Sequence, residues 1–408
     1  MSDRIDCIII GGGIAGVTAA ENIRQRDPNG TIRILGKEKH ALYSRVLLPH
    51  VVRGQVPEEK AYLKTPTALT DKNIEYVTGV RVASVDAGRH VVRLADGSEL
   101  SYGKLLVATG GSSRVLDCPG AKEAGCIFLQ TMDDARDLMA AKGTAKALVY
   151  GGGFSSLELL MCFAHHGAPV TAVLRGDGFF SRVLDPRSKA MILSVLRARG
   201  IEVLLHSEIR GIEIRGGLKA VHLSDGSVKN CTALGVGIGI VPNIAFLAGS
   251  GIETNAGIVA DDRLRATAPD VFAAGDVAEF DDRALGMRHV VGNWQNAMFQ
   301  GKTAGANMAG DDAAYDAVTS YSISIFDLPA AFAGATDVSV DERIVRQTDK
   351  GASLQLLVKN GRVVGATCIG PYSDRLAVNA LLASKTPLSS GALAALRDGK
   401  TSLASVIA

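Results

Sequence analysis

Ile5-Asp6-Cys7-Ile8-Ile9-Ile10-Gly11-Gly12-Gly13-Ile14-Ala15-Gly16-Val17-Thr18-Ala19-Ala20 is the stretch whose reading decides the fold. A largely apolar run long enough for a strand meets a glycine turn and passes into a helix-forming segment. Gly11 permits the tight turn, Gly13 lets the backbone approach a pyrophosphate, and Gly16 lets helix and strand pack closely. The helix start then offers unpaired N–H groups and a partial positive charge to phosphates. A second strand is expected over Thr31 to Leu35. Just after it Glu38, with Lys37 beside it, is placed to hold an adenosine ribose.

The pattern returns as Ala147 to Tyr150, then Gly151-Gly152-Gly153-Phe154-Ser155-Ser156, then a helix from Leu157. Two dinucleotide folds in one chain imply two dinucleotides, and hence a flavin enzyme in which one nucleotide reduces the other. Ser156 replaces the third glycine, adding a Cβ where helix meets strand. The strand Val170 to Val173 ends in Leu174-Arg175, where an NADH site would place an acid. A carboxylate about 4 Å from a 2′-phosphate would repel it by roughly 4 kcal/mol at a surface-like dielectric, and an arginine would attract it by a similar gross amount. Arg175, joined by Arg182, therefore favours NADPH over NADH; the alternative is that Arg175 is only a solvated loop charge.

The 408 residues are 47% apolar and 21% charged, which suits a multi-domain globular protein. The net charge of +2 comes without a run of Lys and Arg, so neither nucleic acid nor an anionic membrane is favoured as partner. Met1-Ser2-Asp3-Arg4 lacks the regions of a secretory signal, and the longest apolar stretch, Ala233 to Gly249, is broken by glycine and proline. The expectation is a cytoplasmic protein with no membrane span. The cysteines, Cys7, Cys118, Cys126, Cys162, Cys231 and Cys368, form no CxxC pair and read as small buried apolar residues. His165 and His166 are adjacent on one helix, point to different faces, and have no clustered third ligand, so no metal is expected.

Three further segments join the glycine motifs: Leu105-Leu106-Val107-Ala108-Thr109-Gly110-Gly111, Ala268-Pro269-Asp270-Val271-Phe272-Ala273-Ala274-Gly275-Asp276-Val277, and Asn293-Trp294-Gln295-Asn296-Ala297. In this order they resemble the two-dinucleotide flavoprotein reductases of the glutathione-reductase-like fold, within the pyridine nucleotide-disulfide oxidoreductase-like superfamily, over about residues 5 to 310. Glu38 to Leu48 is most similar to NADH:rubredoxin reductases, ferredoxin reductases and the flavoprotein part of nitrite reductases. The resemblance implies FAD and NADPH or NADH as cofactors, with Arg45 on the FAD pyrophosphate, a contact suited to a planar arginine fork. It places Gly275 and Asp276 on the flavin ribityl chain and aims the helix beginning near Trp294 at the flavin pyrimidine. The full cofactor-binding set it implies is Gly11, Gly13, Ile14, Ala15, Gly16, Lys37, Glu38, Arg45, Val80, Ala108, Thr109, Gly110, Gly151, Gly153, Phe154, Ser155, Ser156, Arg175, Arg182, Gly237, Gly275, Asp276, Trp294 and Ala297.

Relatives that use a redox thiol carry it in the helix that spans Tyr43 to Arg53, and this chain has no cysteine there. Direct transfer from the flavin is the remaining route. Many relatives place Lys where His50 stands, paired with a Glu of the second nucleotide helix; Glu158 occupies the matching position. The catalytic expectation is therefore a His50–Glu158 pair, with flavin reduction sensitive to pH between about 6 and 8. The alternative is an unpaired surface His50.

The expected fold class is α/β: two Rossmann-like dinucleotide-binding domains and a small C-terminal α+β domain. Residues 1–112 and 238–317 are expected to form a discontinuous FAD-binding domain, 113–237 the NAD(P)H-binding domain, and 318–408 the C-terminal domain, which the resemblance implies covers the flavin or forms a homodimer interface. Strands are expected over Ile201 to Leu205, Ile209 to Arg215, Leu218 to Leu223, Tyr321 to Phe326, Arg343 to Gln347, Leu354 to Lys359 and Arg362 to Cys368, with a hairpin at Asn360-Gly361. Helices are expected over Asp374 to Ala383 and Ala392 to Leu396. The activity implied is transfer of electrons from NAD(P)H through FAD to a small carrier protein of ferredoxin or rubredoxin type. Two rivals stay open: an oxidase or quinone reductase of the same fold, and a flavin-bearing interaction protein whose Ser156 and Leu174 weaken nicotinamide binding.

Overall fold

The computed structural model describes residues 4–348, 350–372, 374–398 and 401–407; Met1-Ser2-Asp3 lies outside the described residues. The chain divides into two compact units, one of residues 1–46, 57–112 and 241–317, the other of 47–56, 113–240 and 318–408.

The first unit is built on a seven-stranded sheet. Ile5–Ile10 runs at its centre, parallel to Ile32–Gly36 on one side and Glu99–Val107 on the other. Ile74–Thr78 extends it parallel beyond Ile32–Gly36, and Val271–Ala273 pairs parallel with Glu99–Val107. The central strands are continuous apolar runs because they are covered on both faces: Ile8, Ile9, Ile34, Leu105, Leu106 and Val107 are fully buried. Helices Ile14–Arg26 and Trp294–Met308 pack on each other through small residues. Strand Ile5–Ile10 runs through the glycine turn into the N-terminus of helix Ile14–Arg26.

In the second unit Glu202–Leu204, Val170–Val173, Ala147–Tyr150 and Ala233–Val236 form a parallel sheet in that spatial order. Ile209–Arg215 and Leu218–Leu223 make the expected hairpin at Gly216-Gly217 and are joined by Val228–Cys231. Helix Pro186–Ala198 starts where the sequence chemistry says it should, with Asp185 accepting from the amides of Arg187 and Ser188 and proline at the first helical position.

Residues 318–408 supply a five-stranded antiparallel sheet in the order Ser320–Ile325, Leu328–Gly334, Arg362–Ile369, Ser353–Lys359, Glu342–Gln347. Asn360 and Gly361 both take positive φ, as an Asn-Gly hairpin requires. Strand Leu328–Gly334 was not foreseen, because Pro329 and three alanines give it little strand character in isolation. Helices Arg375–Ala383, Ser390–Asp398 and Leu403–Ile407 follow, the last also unforeseen. Among the described residues no helix is long and apolar enough to cross a membrane.

Candidate functional site: two glycine cradles

In the first unit the turn after Ile5–Ile10 is locked from both sides. Gly11 donates to Leu35 O at 2.9 Å, and Ala108 donates to Ile10 O at 2.8 Å. Gly11 has φ +119°, and a Cβ there would lie 2.1 Å from Ala108 O, so only glycine fits. Gly16 is just as constrained, since its Cβ would meet Gly11 O at 2.0 Å. Around Gly13, by contrast, a Cβ would have nothing within 4 Å. Gly13 is also the N-cap of the helix, whose first turn carries no acid that would oppose an anion.

Glu38 stands one strand away and is held by Tyr43 and by Arg45, at 2.5 Å. Arg45 also lies over the Tyr43 ring, 5.2 Å from its centroid. Burial pushes the Asp276 carboxyl above the usual carboxylate range, with Arg45 pulling the other way. Thr109 and Asn243 exchange bonds at 2.8 and 3.1 Å, and Asn243 donates its amide to Gly110 O at 2.9 Å, which fixes the end of the Ala108-Thr109-Gly110 return. Gly275 donates to Gln300 Oε1 at 2.8 Å, while buried Gln300 Nε2 has no partner. Asn293 caps the second helix by accepting from Asn296 N at 2.7 Å; Trp294 is half-buried and Ala297 buried behind it. Ile14 and Ala15 open the first helix, Val80 donates to Gly36 O at 2.8 Å, and Lys37 is exposed. An open helix start, an arginine fork, a desolvated carboxylate and an orphaned amide are what a phosphate-bearing polyhydroxylated cofactor such as FAD would complete.

The second unit repeats the frame and alters the details. Gly151 has φ +129° and its Cβ would meet Gly237 O at 2.1 Å. A Cβ on Gly153 would have nothing within 4 Å, and the helix it caps has no acid in its first turn. Ser156 is fully buried. Its hydroxyl accepts from Gly153 N at 2.9 Å and donates to Gly153 O at 2.8 Å. The extra Cβ fits because residue 237 has none: one there would lie 2.5 Å from Ser156 N. Ser155 beside it is exposed.

Phe154, the first helical residue, belongs to an aromatic cluster with Phe180, Tyr321 and Phe332, at centroid distances of 4.5, 4.8 and 5.0 Å. Leu174 is fully buried, and Arg175 is exposed. Arg182 is paired with Asp337 at 2.5 Å.

The expected His50–Glu158 pair is corrected by the geometry. Glu158 Oε2 accepts instead from Arg53 Nη1 at 2.8 Å, in a site where the two side chains are 20% and 11% exposed. His50 Nδ1 lies 2.8 Å from Gln55 Oε1. Arg53 also approaches Cys162 Sγ at 3.9 Å, and Cys162 contacts Pro49 O at 3.8 Å. Residues 50 and 53 are one helical turn apart, and the longer arginine is the one that reaches Glu158. His166 Nε2 lies 3.0 Å from Val52 O. Burial pushes the thiols of Cys7 and Cys162 up to about 11 and about 12. Besides Arg53, sequence reasoning missed Asn243, Gln300, Phe180, Tyr321, Phe332 and Asp337. Only Asn243 had a visible signal, in Pro242-Asn243 just after a strand.

The sequence pattern of the family described as "Pyridine nucleotide-disulphide oxidoreductase" matches residues 5–301. The chain is 33% identical over 389 residues to the 5,5'-dehydrodivanillate O-demethylase ferredoxin reductase subunit of Sphingobium sp., covering 94% of each. It is 30% identical to the rubredoxin-NAD(+) reductase of Pseudomonas putida, over 74% of this chain and 80% of that one. Among solved structures, the ferredoxin reductase for the CYP199A2 system from Rhodopseudomonas palustris superposes with a TM-score of 0.87 at 27% identity, over 99% of this chain and 100% of that one.

Proposed function

Since the chain belongs to the pyridine nucleotide-disulphide oxidoreductase family, we propose that it passes electrons from NADPH through FAD to a small iron–sulfur or rubredoxin-type carrier protein. It is an FAD-dependent NAD(P)H oxidoreductase. The observation that carries the reading is the doubled cradle: each unit has a positive-φ glycine pressed on a neighbouring carbonyl, then open space at a helix start.

Bound FAD supplies a centre that accepts a hydride and can release electrons singly. The residues proposed to hold it are the Gly11 to Gly16 turn at the phosphates, Arg45 and Glu38 flanking them, Asp276 and Gln300 toward the hydroxylated chain, and the helix start at Trp294. In the second unit the Gly151 to Ser156 turn is proposed to take the nicotinamide nucleotide's pyrophosphate. Arg175 and Arg182 favour a 2′-phosphate there, and buried Leu174 offers no carboxylate to oppose it. Arg53 donates to Glu158 and orients it on the same helix that begins at the glycine turn.

A thiol relay has no support in this chain. Among the described residues all six cysteines are free, and those with the strongest burial are thiols whose thiolate form is suppressed. The carrier is therefore proposed to take electrons directly from the flavin. The ferredoxin reductases and rubredoxin reductases among the relatives support that acceptor class. The test is reduction of a purified ferredoxin and a rubredoxin by NADPH with the protein, followed by the carriers' own visible absorbance. Turnover with oxygen or quinone alone, and none with either carrier, would replace this reading. A strong preference for NADH would remove Arg175 from its proposed role.

A further inference from the structure

The loop after strand Val170–Val173 carries the residues on which the choice of nicotinamide nucleotide rests, and its position is set from the far end of the sequence. Phe180, with left-handed backbone at φ +52°, donates its amide to Gly152 O at 2.7 Å and folds the loop back onto the glycine turn. The next residues are gripped by the C-terminal sheet. Arg343 Nη1 and Gln355 Nε2 donate to Val183 O at 3.0 and 2.7 Å, and Ser353 Oγ contacts Asp185 at 3.3 Å. Asp337 closes on Arg182 at 2.5 Å.

Asp337 is itself placed beside the aromatic cluster. Burial raises the Tyr321 hydroxyl, a hydrogen bond with the neighbouring Thr336 lowers it, and the charge of Asp337 adds to the upward push. Tyr321 in turn lies 4.8 Å from Phe154, the first residue after the glycine turn. The strand end offers the buried Leu174, and the loop's own Asp177 is paired with Lys189. A carboxylate nevertheless stands at the rim of this loop, delivered by the C-terminal sheet.

Resting on the reading of Arg175 and Arg182 as facing a 2′-phosphate, we propose that Asp337 is a specificity-determining residue that limits the preference for NADPH over NADH. A 2′-phosphate must compete with Asp337 for Arg182; a ribose hydroxyl meets no such cost. The second unit thus carries a cation that attracts the phosphate and an anion that tempers it.

The experiment is isothermal titration of the flavin-loaded protein with 2′,5′-ADP and with ADP, at low and high salt, for wild type, Asp337→Asn, Asp337→Glu, Arg175→Gln, Arg182→Gln and the Asp337→Asn/Arg182→Gln double variant. Asp337→Asn is expected to bind 2′,5′-ADP about five-fold more tightly, the scale of an exposed ion pair, with ADP unchanged. The gain should shrink at high salt, disappear in the Arg182→Gln background, and be absent in Asp337→Glu. Equal tightening of both nucleotides, no change in either, or a gain that persists without Arg182 overturns the proposal. The underlying NADPH reading fails on a different arm: wild type binding both nucleotides equally, with Arg175→Gln and Arg182→Gln without effect.

Discussion

The two glycine cradles share a backbone and differ in what surrounds it. In the first, Gly16 keeps the helix against the turn, and an acid after the second strand, Glu38, is held by Tyr43 and Arg45. In the second, Ser156 spends its hydroxyl on Gly153, the acid position is the buried Leu174, and charges arrive from the loop and the C-terminal sheet. The frame is the part that physics fixes: a positive φ and a carbonyl about 2 Å from any Cβ leave no choice at Gly11 or Gly151. The third glycine is negotiable, provided the facing strand gives up its own side chain, as residue 237 does. The charges of the first cradle stand beside its own second strand, whereas the rim of the second receives one from the far end of the sequence.

The comparison is broken most severely at the shared frame. Gly11→Ala adds a strained φ, at about 1–3 kcal/mol, to a direct clash, and should yield protein without its yellow colour. Gly151→Ala carries the same local conflict but should keep the flavin and lose reduction by NADPH. Flavin content and NADPH bleaching, measured on both, separate the cradles; equal loss of flavin in both would erase the distinction.

Next in size is the ion pair of the second unit. Arg53→Ala leaves Glu158 without its partner in a site only one-fifth exposed. The cost should be about 2 kcal/mol after discounting a fully buried pair for partial solvation. For a unit of this size that is a fall in Tm of roughly 4–8 °C, read by thermal unfolding. His50→Ala should move Tm far less, because His50 contacts Gln55 instead.

A reciprocal exchange sharpens the difference at the third glycine. Gly16→Ser forces a Cβ to within 2.0 Å of Gly11 O and should cost the flavin. Ser156→Gly removes two hydrogen bonds of one hydroxyl and should cost about 1 kcal/mol, with flavin content unchanged.

The smallest effect is a pH dependence at Asp276. Its folded carboxyl titrates above the ordinary range because burial disfavours the charge. Its contribution to stability is therefore present below the unfolded value and lost as pH rises through the folded one. Flavin-free Asp276→Asn should consequently be more stable than wild type at neutral pH, and the gap should close in acid. A gap that widens in acid would reverse the sign of the argument.

Much of the frame was legible because its cause is local. Ile5–Ile10 followed by Gly11, Gly13 and Gly16 announces strand, turn and helix within a dozen residues, and Asn360-Gly361 announces its hairpin within two. What stayed hidden was decided by reach or by distance along the chain. Spacing alone does not say whether His50 or Arg53 meets Glu158, since one helical turn separates them. Arg182 and Asp337 are 155 residues apart, and Phe154 meets Tyr321 and Phe332 only because the C-terminal sheet folds onto the second cradle within its unit. Leu328–Gly334 was invisible because its alanines become a strand only between two better strands.

The central claim is that one cradle keeps a flavin while the other brings a nicotinamide nucleotide to reduce it. Anaerobic titration of the purified protein with NADPH, then NADH, followed by the visible absorbance of the flavin, tests it most directly. The account predicts a yellow protein that NADPH bleaches stoichiometrically, with NADH weaker. A colourless protein that cannot be reconstituted with FAD, or a yellow one that neither nucleotide bleaches, would contradict it.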